Sequence, residues 1–416
     1  MREIAEKRSS FARTRPAARR RPALLAVALL AVASAAGVAA CGGSPAPSAT
    51  VTVTAPASAT PAVSPSPSSA AATGVQLVVA VASGAKANGI SAINGSGKVK
   101  ELVAPSGGPI RDLAWAPDGV RLAFLRAVSD SDTTSILFVY DARTAQLRQV
   151  GVGTAPANVQ SFTWVGATQL VASCFPVGAR SYRANGALWL RDVTKVEPGK
   201  AVKDSAGHLV KGVAVSSSVD GTRLAFVNYG AASSTAIAER LRVYDADDLS
   251  VSTVATGQAP LELDGDQFSY PLISPDGTMI ATMQTGSDIG FGCTVYGTEG
   301  AVRLHAPGLV WPAPPAWTAH TPRLALGGAQ GSFGGNNDSL LVWPVGAAKV
   351  SAILSTTRPI TSLAWTPKAS QIAYSVAKAD GLQGALWIVD ADGSNRHLLL
   401  ADGSFPAWAI APVTFP

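Results

Sequence analysis

A repeat of 44 to 58 residues constrains the fold of this 416-residue chain more than any other feature of its sequence. In its clearest copy, residues 113–124, two short β-prone runs flank Pro117-Asp118-Gly119. Proline presets the backbone angle φ for a turn, aspartate caps the turn, and glycine accepts a positive φ. The copy therefore predicts a strand, a tight turn and a second strand.

Six copies of this unit follow one another along the chain. Their reference positions are Trp115, Trp164, Val215, Ile273, Trp317 and Trp365. These positions lie 49, 51, 58, 44 and 48 residues apart. A third strand ending in aspartate follows in the segments 136–141, 188–192, 241–245 and 386–390, and a fourth strand follows that. Four strands in a unit of this length predict one blade of a β-propeller.

The two ends of the repeat region complement each other. Residues 405–409 resemble a first strand with no blade after it, whereas 75–80, 89–93 and 99–103 resemble three strands that lack a first. Joining these segments closes the ring and leaves no exposed sheet edge at the seam. The sequence therefore predicts an all-β, seven-bladed β-propeller over residues 75–416, with N- and C-terminal strand closure.

The repeat resembles a known family. The motif Trp-(Ser/Ala)-Pro-Asp-Gly-x-(Arg/Lys)-Leu-Ala-Phe, with the later Ile-Val-Asp-Ala-Asp-Gly-Ser-Asn, is similar to the TolB-type, WD-like propeller repeat of bacterial envelope lipoproteins. The resemblance covers essentially all of residues 75–416, although the copies at Trp164, Trp317 and Trp365 lack Pro-Asp-Gly. It implies an exported, protein-binding propeller, but fold alone does not carry a function across.

The N-terminus is an export signal. Residues 1–22 are basic and residues 23–40 are uncharged and apolar, the order of a secretory signal peptide. Residues 38–41 are Val-Ala-Ala-Cys, and with the following Gly-Gly they resemble the bacterial lipobox. The resemblance implies that Cys41 is the lipid attachment site and that two acyl chains anchor the protein in the bilayer. We expect an extracytoplasmic, lipid-anchored protein of the cell membrane; the alternative is an uncleaved membrane anchor.

The segment after Cys41 is a tether. Residues 42–74 contain only Gly, Ser, Pro, Ala, Thr and Val. Such a composition buries too little apolar surface to offset the entropy of ordering. The predicted domains are therefore a signal peptide at 1–40, the lipidated Cys41 with a disordered tether at 41–74, and the propeller at 75–416.

The net charge argues against nucleic-acid binding. The chain has 33 Lys and Arg and 27 Asp and Glu, of which residues 1–40 hold eight and two. Subtraction leaves 25 basic and 25 acidic residues in the rest, so the mature protein is formally neutral. Neutralising phosphates requires a basic surface.

Residues with catalytic or ligand-binding chemistry are sparse. There is no Gly-x-Ser-x-Gly elbow, and no pair with metal-ligand spacing among His208, His305, His320 and His397. We therefore assign no catalytic residue, cofactor or metal site. Residues 390–394 are expected to form a hairpin turn, with a calcium loop as the alternative, and Asp264 with Asp266 leaves a cation site open.

Two further sets of residues leave alternatives open. Eight of the nine tryptophans recur at fixed phase in first or third strands, which favours packing between blades over a stacking row for sugars or bases. Cys174 and Cys293 fall in blades that are not neighbours, and a disulfide between them requires Cα atoms within about 7 Å. We expect them to be unpaired, with the disulfide as the alternative.

The distribution of loops suggests where a partner docks. In a four-stranded blade the first-to-second and third-to-fourth turns share one face, here called the turn face. The other connections share the loop face. The long connections 173–185, 228–239, 250–267 and 327–339 all belong to the loop face, and long loops are usually functional or disordered. We expect a monomeric, non-enzymatic platform that binds a protein, peptide or envelope ligand there.

Two other functions stay open. One is an extracytoplasmic lactonase-like or lyase-like enzyme that uses the central channel. The other is a sensory or accessory lipoprotein beside a membrane kinase or transporter.

Overall fold

A computed structural model describes twelve segments of the chain. They are residues 78–83, 87–94, 98–128, 134–151, 158–175, 184–233, 235–260, 266–285, 292–320, 322–330, 338–377 and 384–408. The chain divides into the units Met1–Ser48 and Ala49–Pro416, and all described residues belong to the second. The predicted signal peptide, Cys41 and the tether lie outside the described residues. No helix in the described part is long and apolar enough to cross a membrane.

The described residues form 28 strands and no helix. The first fourteen are β1 (Val78–Ser83), β2 (Gly89–Asn94), β3 (Val99–Val103), β4 (Ile110–Trp115), β5 (Arg121–Ala127), β6 (Ser135–Asp141), β7 (Gln146–Gln149), β8 (Asn158–Trp164), β9 (Gln169–Phe175), β10 (Gly186–Asp192), β11 (Lys200–Ala201), β12 (Lys211–Ser217), β13 (Arg223–Ala232) and β14 (Ala236–Asp245). The others are β15 (Val251–Pro260), β16 (Asp266–Ile273), β17 (Met279–Thr285), β18 (Gly292–Gly297), β19 (Val302–Pro307), β20 (Leu309–Trp317), β21 (Arg323–Gln330), β22 (Asp338–Pro344), β23 (Ser351–Thr356), β24 (Ile360–Trp365), β25 (Gln371–Ala377), β26 (Gly384–Asp390), β27 (His397–Leu400) and β28 (Ser404–Trp408).

These strands pair into antiparallel sheets of four consecutive strands, with two exceptions. The regular sheets are β4-β5-β6-β7, β16-β17-β18-β19, β20-β21-β22-β23 and β24-β25-β26-β27. The terminal sheet has the order β28-β1-β2-β3, and the double sheet contains β8 to β15. The prediction of an all-β fold built from the repeat is confirmed.

The tight turns predicted from the sequence are present in the structure. Gly119, Gly221 and Gly277 have φ of 67°, 74° and 70°, the left-handed conformation that glycine adopts without strain. Asp118 caps its turn by accepting a hydrogen bond from the N–H of Val120 at 2.9 Å. The copy at Trp365, which lacks Pro-Asp-Gly, makes the same turn with Ala369 at φ 55°. The turn thus survives the loss of its glycine.

The terminal sheet joins the two ends of the repeat region. β28 pairs with β1, with Trp408 opposite Val79 and Ala407 opposite Ala80. This is the pairing that the sequence predicts.

The double sheet was not predicted. The fourth strand β11 has only two residues, Lys200 and Ala201, so β10 is left uncovered near its start. There, Gly212 and Lys211 of β12 pair directly with Gly186 and Ala187 of β10. The approach is close enough that a Cβ on Gly212 would lie 2.3 Å from a ring carbon of Phe226. Glycine at this position therefore allows two sheets to fuse.

Two of the predicted long loops are wrong. Within these ranges the described residues 228–232, 236–239 and 251–260 form paired strands, with Tyr229 opposite Glu239 and Arg240 opposite Thr256. Residues 261–265 lie outside the described residues. Strands β13, β14 and β15 each run for ten residues and lengthen the double sheet on its loop-face side. Of the other two loops, 176–183 and 331–337 lie outside the described residues.

The first strands of the sheets contact one another in a cyclic order. The contacts are β28 with β4, β4 with β8, β8 with β12, β12 with β16, β16 with β20, β20 with β24, and β24 with β28. Apolar clusters fill the spaces between neighbouring sheets; one joins Ile90 of β2 to Leu122 of β5. The second strands are consequently buried on both faces, as in β5 and β9.

Candidate functional site

The tryptophans join neighbouring first strands. Four indole N–H groups donate to the carbonyl that precedes the reference position of the previous sheet: Trp164 to Ala114 at 3.0 Å, Trp317 to Leu272 at 2.9 Å, Trp365 to Ala316 at 3.1 Å, and Trp408 to Ala364 at 3.2 Å. The packing interpretation is therefore confirmed for these four. In the third copy the equivalent residue is Ser217, because it pairs with Leu224 as Trp164 pairs with Leu170. The reference position of this copy is therefore Ser217, and the prediction of Val215 is wrong, because β12 has no aromatic residue at its end.

Each first strand contains a β-bulge. In β4, β8 and β24 the extra residue is Arg111, Gln160 and Thr361, respectively. In β16 one bulge places Tyr270 and Pro271 opposite a single residue of β17. A bulge turns a side chain out of the sheet and is frequent beside active sites.

The bulges expose polar side chains on strands whose sheets are otherwise covered on both faces. Arg111, Asp112, Gln160, Tyr270 and Thr361 are all exposed. Neighbouring sheets occupy the two faces of each sheet, so these side chains point to the space that the first strands surround. We call this group the first-strand site.

The environment of Asp112 indicates that the first-strand site is enclosed by protein but accessible to water. Its side chain is exposed. Even so, the removal of bulk water by the surrounding protein raises the pKa of the carboxyl from 3.8 to about 6, against a smaller opposite effect of a hydrogen bond from the backbone of Leu113. A carboxyl with this pKa is still mostly ionised at neutral pH and can accept a proton or a hydrogen bond from a ligand.

Tyr270 adopts a strained backbone conformation. Its φ is 51°, in the left-handed region that bulky residues avoid, and the residue before a proline is restricted further. Its side chain is 51% exposed, so apolar burial does not offset the strain. Strain of this kind costs about 1–3 kcal/mol and concentrates at functional sites.

The site opens towards the loop face. Blade connections enter each first strand from that face, and Arg111, Gln160 and Thr361 are the second or third residues of their strands. None of these five residues was predicted from the sequence, because an exposed position on a first strand depends on a bulge. The one local signal was the aromatic-proline pair Tyr270-Pro271.

Two buried carboxylates tie strands together on the loop-face side. Asp338, which is 2% exposed, accepts a hydrogen bond from the N–H of Ile360 at 2.6 Å, and Glu239 accepts one from Phe268 at 3.3 Å. Burial raises the pKa of Asp338 to about 6, and the hydrogen bond from Ile360 opposes this. Each carboxylate joins the third strand of one sheet to the first strand of the next.

The remaining candidate residues are dispersed. Cys174 and Cys293 are both buried free thiols, and burial raises the pKa of each to about 12, so the disulfide alternative is wrong. Asp390 accepts hydrogen bonds from Gln371 at 2.8 Å and Asn395 at 2.6 Å, as a turn residue would.

The histidines and the predicted cation site give no cluster. The four histidines are spread over different elements: His208 before β12, His305 in β19, His320 after β20 and His397 in β27. Asp264 lies outside the described residues. Within the segments that the structure describes, no three His, Cys, Asp or Glu side chains form a group able to hold a metal ion.

Comparisons with known proteins support the fold. No protein-family model and no curated protein matches the chain. An oligogalacturonate lyase from Vibrio parahaemolyticus is similar in structure, with a TM-score of 0.51, 13% identity, and coverage of 79% of this chain and 85% of that one. An oligogalacturonate lyase in complex with manganese gives a TM-score of 0.51, 14% identity, and coverage of 77% and 83%.

TolB from Acinetobacter baumannii is also found, with a TM-score of 0.45, 14% identity, and coverage of 80% of this chain and 66% of that one. At these identities the likeness to the lyases shows the fold alone, a β-propeller of antiparallel sheets.

Proposed function

We propose that this chain is a lipid-anchored, extracytoplasmic, seven-bladed β-propeller that binds a protein or peptide partner on its loop face. Counting the double sheet as two blades gives the proposed seven, and the pairing of β28 with β1 supports the proposed closure of the ring. The signal-like residues 1–40, the lipobox-like Cys41 and the tether-like composition of residues 42–74 support the proposed position outside the cell membrane.

The observation that carries the binding proposal is the cyclic contact of the first strands around exposed polar side chains. Arg111, Asp112, Gln160 and Thr361 offer charged and neutral hydrogen-bonding groups in one space. Tyr270 adds a rigid aromatic surface, and aromatic and arginine side chains are the types that dominate binding energy at protein interfaces. The loop-face opening makes this space accessible to a partner.

Photo-crosslinking tests the proposed surface. A photoreactive amino acid at Gln160 or Thr361 should crosslink the anchored protein to a partner in its own envelope. The matched control is the same amino acid at Lys195, which lies in the β10–β11 turn on the turn face and is exposed. Replacing residues 331–337 with Gly-Asn should weaken the crosslinks. Crosslinks from Lys195, with none from Gln160 and Thr361, would contradict the loop-face assignment.

An enzymatic function is the second candidate, and Asp112 is the observation that favours it. A carboxyl with a pKa of about 6 in an enclosed site suits a general base. Structures of similar fold include oligogalacturonate lyases, whose named activity belongs to those proteins. Incubation with oligogalacturonate, followed by the ultraviolet absorbance of an unsaturated product, tests this function. Activity that Asp112→Asn abolishes would favour the enzyme over the platform.

A further inference from the structure

β15 differs from the other fourth strands in length and charge. It has ten residues, whereas β3, β7, β19, β23 and β27 have four to six. Its sequence, Val-Ser-Thr-Val-Ala-Thr-Gly-Gln-Ala-Pro, contains no charged residue. It is the last strand of the double sheet, and no described strand pairs with its outer edge. Edge strands are normally short, charged or covered, because an open edge pairs with other chains.

The open part of this edge is held in place. A bulge at Val254 interrupts the strand, and the Val254 carbonyl lies against Gly300 of the next sheet. Beyond the bulge, residues 255–260 pair in register with β14, from Leu241 opposite Ala255 to Ala236 opposite Pro260. Ala259 is fully buried. A preformed strand lowers the entropic cost of adding another.

One face beside this edge carries two arginines. Arg240 lies opposite Thr256, and Arg242 opposite Thr253. Both threonines are exposed and short, and strands lie about 4.8 Å apart. In this structure Arg240 Nη1 lies on the other side of β14, against Gly230 of β13. The exposed Arg240 side chain reaches over β15 to a strand added at its edge once it rotates away from β13.

These two guanidinium groups lack full neutralisation within the described part of the chain. Arg240 is exposed, and no salt bridge among the described residues joins Arg240 or Arg242 to a carboxylate. Burial lowers the pKa of Arg242, and Arg240 lowers it further. The nearby carboxylate of Asp204 also contacts His208, with 3.4 Å between Asp204 Oδ2 and His208 Nδ1. Arg242 Nε is buried without a hydrogen-bond partner in the described residues.

We propose that the outer edge of β15, at residues 255–260, binds an extended acidic segment of a partner polypeptide as an additional antiparallel strand. The proposal rests on the proposed protein- or peptide-binding function and names the chemistry of the partner. Main-chain hydrogen bonds hold the segment, and every second side chain faces Arg240 and Arg242. Acidic residues at those alternate positions complement the arginines.

Three synthetic peptides test the proposal on the full chain in detergent. Dye-labelled (Thr-Glu)4 is the probe, (Thr-Lys)4 is the charge control, and (Thr-Glu)4 with alternate backbone nitrogens methylated is the hydrogen-bonding control. Fluorescence anisotropy should show binding of the first peptide, at least tenfold weaker binding of the methylated peptide, and no binding of the lysine peptide. Hydrogen exchange of residues 255–260 should slow with the first peptide.

Variants of the arginines give an independent readout. The double variant Arg240→Gln and Arg242→Gln should weaken (Thr-Glu)4 binding by about tenfold. Arg148→Gln, which removes an exposed arginine from the fourth strand β7, should leave binding unchanged. If the double variant does not fold, binding of the three peptides to the unaltered chain still tests the proposal.

Several results would overturn the proposal. These are equal binding of the methylated peptide, equal binding of the lysine peptide, protection outside residues 255–260, or concentration-dependent protection of β15 by a second copy without peptide. Crosslinking from Gln160 or Thr361 to a partner, with no peptide protection of β15, would leave the proposed function standing and remove this inference alone.

Discussion

Trp164→Phe and Trp115→Phe are a matched pair that tests how neighbouring first strands are held together. Both tryptophans end a first strand, and they are 6% and 5% exposed. Each substitution removes the same atoms from a similar environment. The indole of Trp164 donates to Ala114 at 3.0 Å, whereas Trp115 Nε1 is buried without an acceptor among the described residues. By the pattern of the other sheets, its acceptor would be the carbonyl of Ala407 on β28.

The expected difference follows from these hydrogen bonds. Losing the bond from Trp164 costs about 1 kcal/mol net. A buried N–H without an acceptor costs about 1–3 kcal/mol, and Trp115→Phe removes that group. The loss of packing is similar in both variants and cancels in the comparison. Trp164→Phe should therefore be less stable than Trp115→Phe by about 2–4 kcal/mol.

Urea unfolding followed by circular dichroism near 215 nm measures both variants without relying on tryptophan fluorescence. Ser217 occupies the equivalent position of β12. The third copy therefore has no indole N–H at this position, and neither substitution changes it. Equal free energies of unfolding for the two variants would refute the reasoning, as would a larger loss for Trp115→Phe.

Three other expectations test the fold, its pH dependence and the anchor. Because burial raises the pKa of Asp338 from 3.8 to about 6, its ionisation destabilises the folded state progressively as the pH rises from about 4 to about 6. Asp338→Asn keeps an acceptor for Ile360, so it should raise the free energy of unfolding by up to about 3 kcal/mol at pH 8 and little at pH 4; an equal effect at both pH values in urea titrations would contradict this. Deletion of residues 404–416 removes the partner of β1 and should lower the melting temperature sharply; an unchanged melting curve would rule out this seam. Cys41→Ser should abolish labelling by a radioactive fatty acid, and labelling that persists would exclude lipidation at this residue.

Local patterns predicted most of the architecture. The alternation in residues 136–141 and 386–390, and the Pro-Asp-Gly turns, depend on residues within a few positions of one another. The sequence also indicated the pairing of residues 405–409 with the N-terminal strands. Residues 405–409 resemble a first strand without the rest of its blade, and the N-terminal segments resemble a blade without its first strand. In contrast, residues 230–238 contain mostly Ala, Ser and Gly, which gave no strand signal. Residues 230–232 and 236–238 nevertheless belong to β13 and β14, because β14 pairs with β13 on one side and with β15 on the other.

The sequence by itself determined the repeat, the tight turns, the positions of the tryptophans and the pairing of the chain ends. These follow from periodicity and from the backbone angles that Pro and Gly allow. Only the tertiary structure decided that Arg111 and Asp112 are exposed, since a bulge appears only when two strands are paired in register. It alone decided that Arg240 and Arg242 lie on the strand next to β15, whose outer edge pairs with no described strand, because a sheet edge depends on which strands pair.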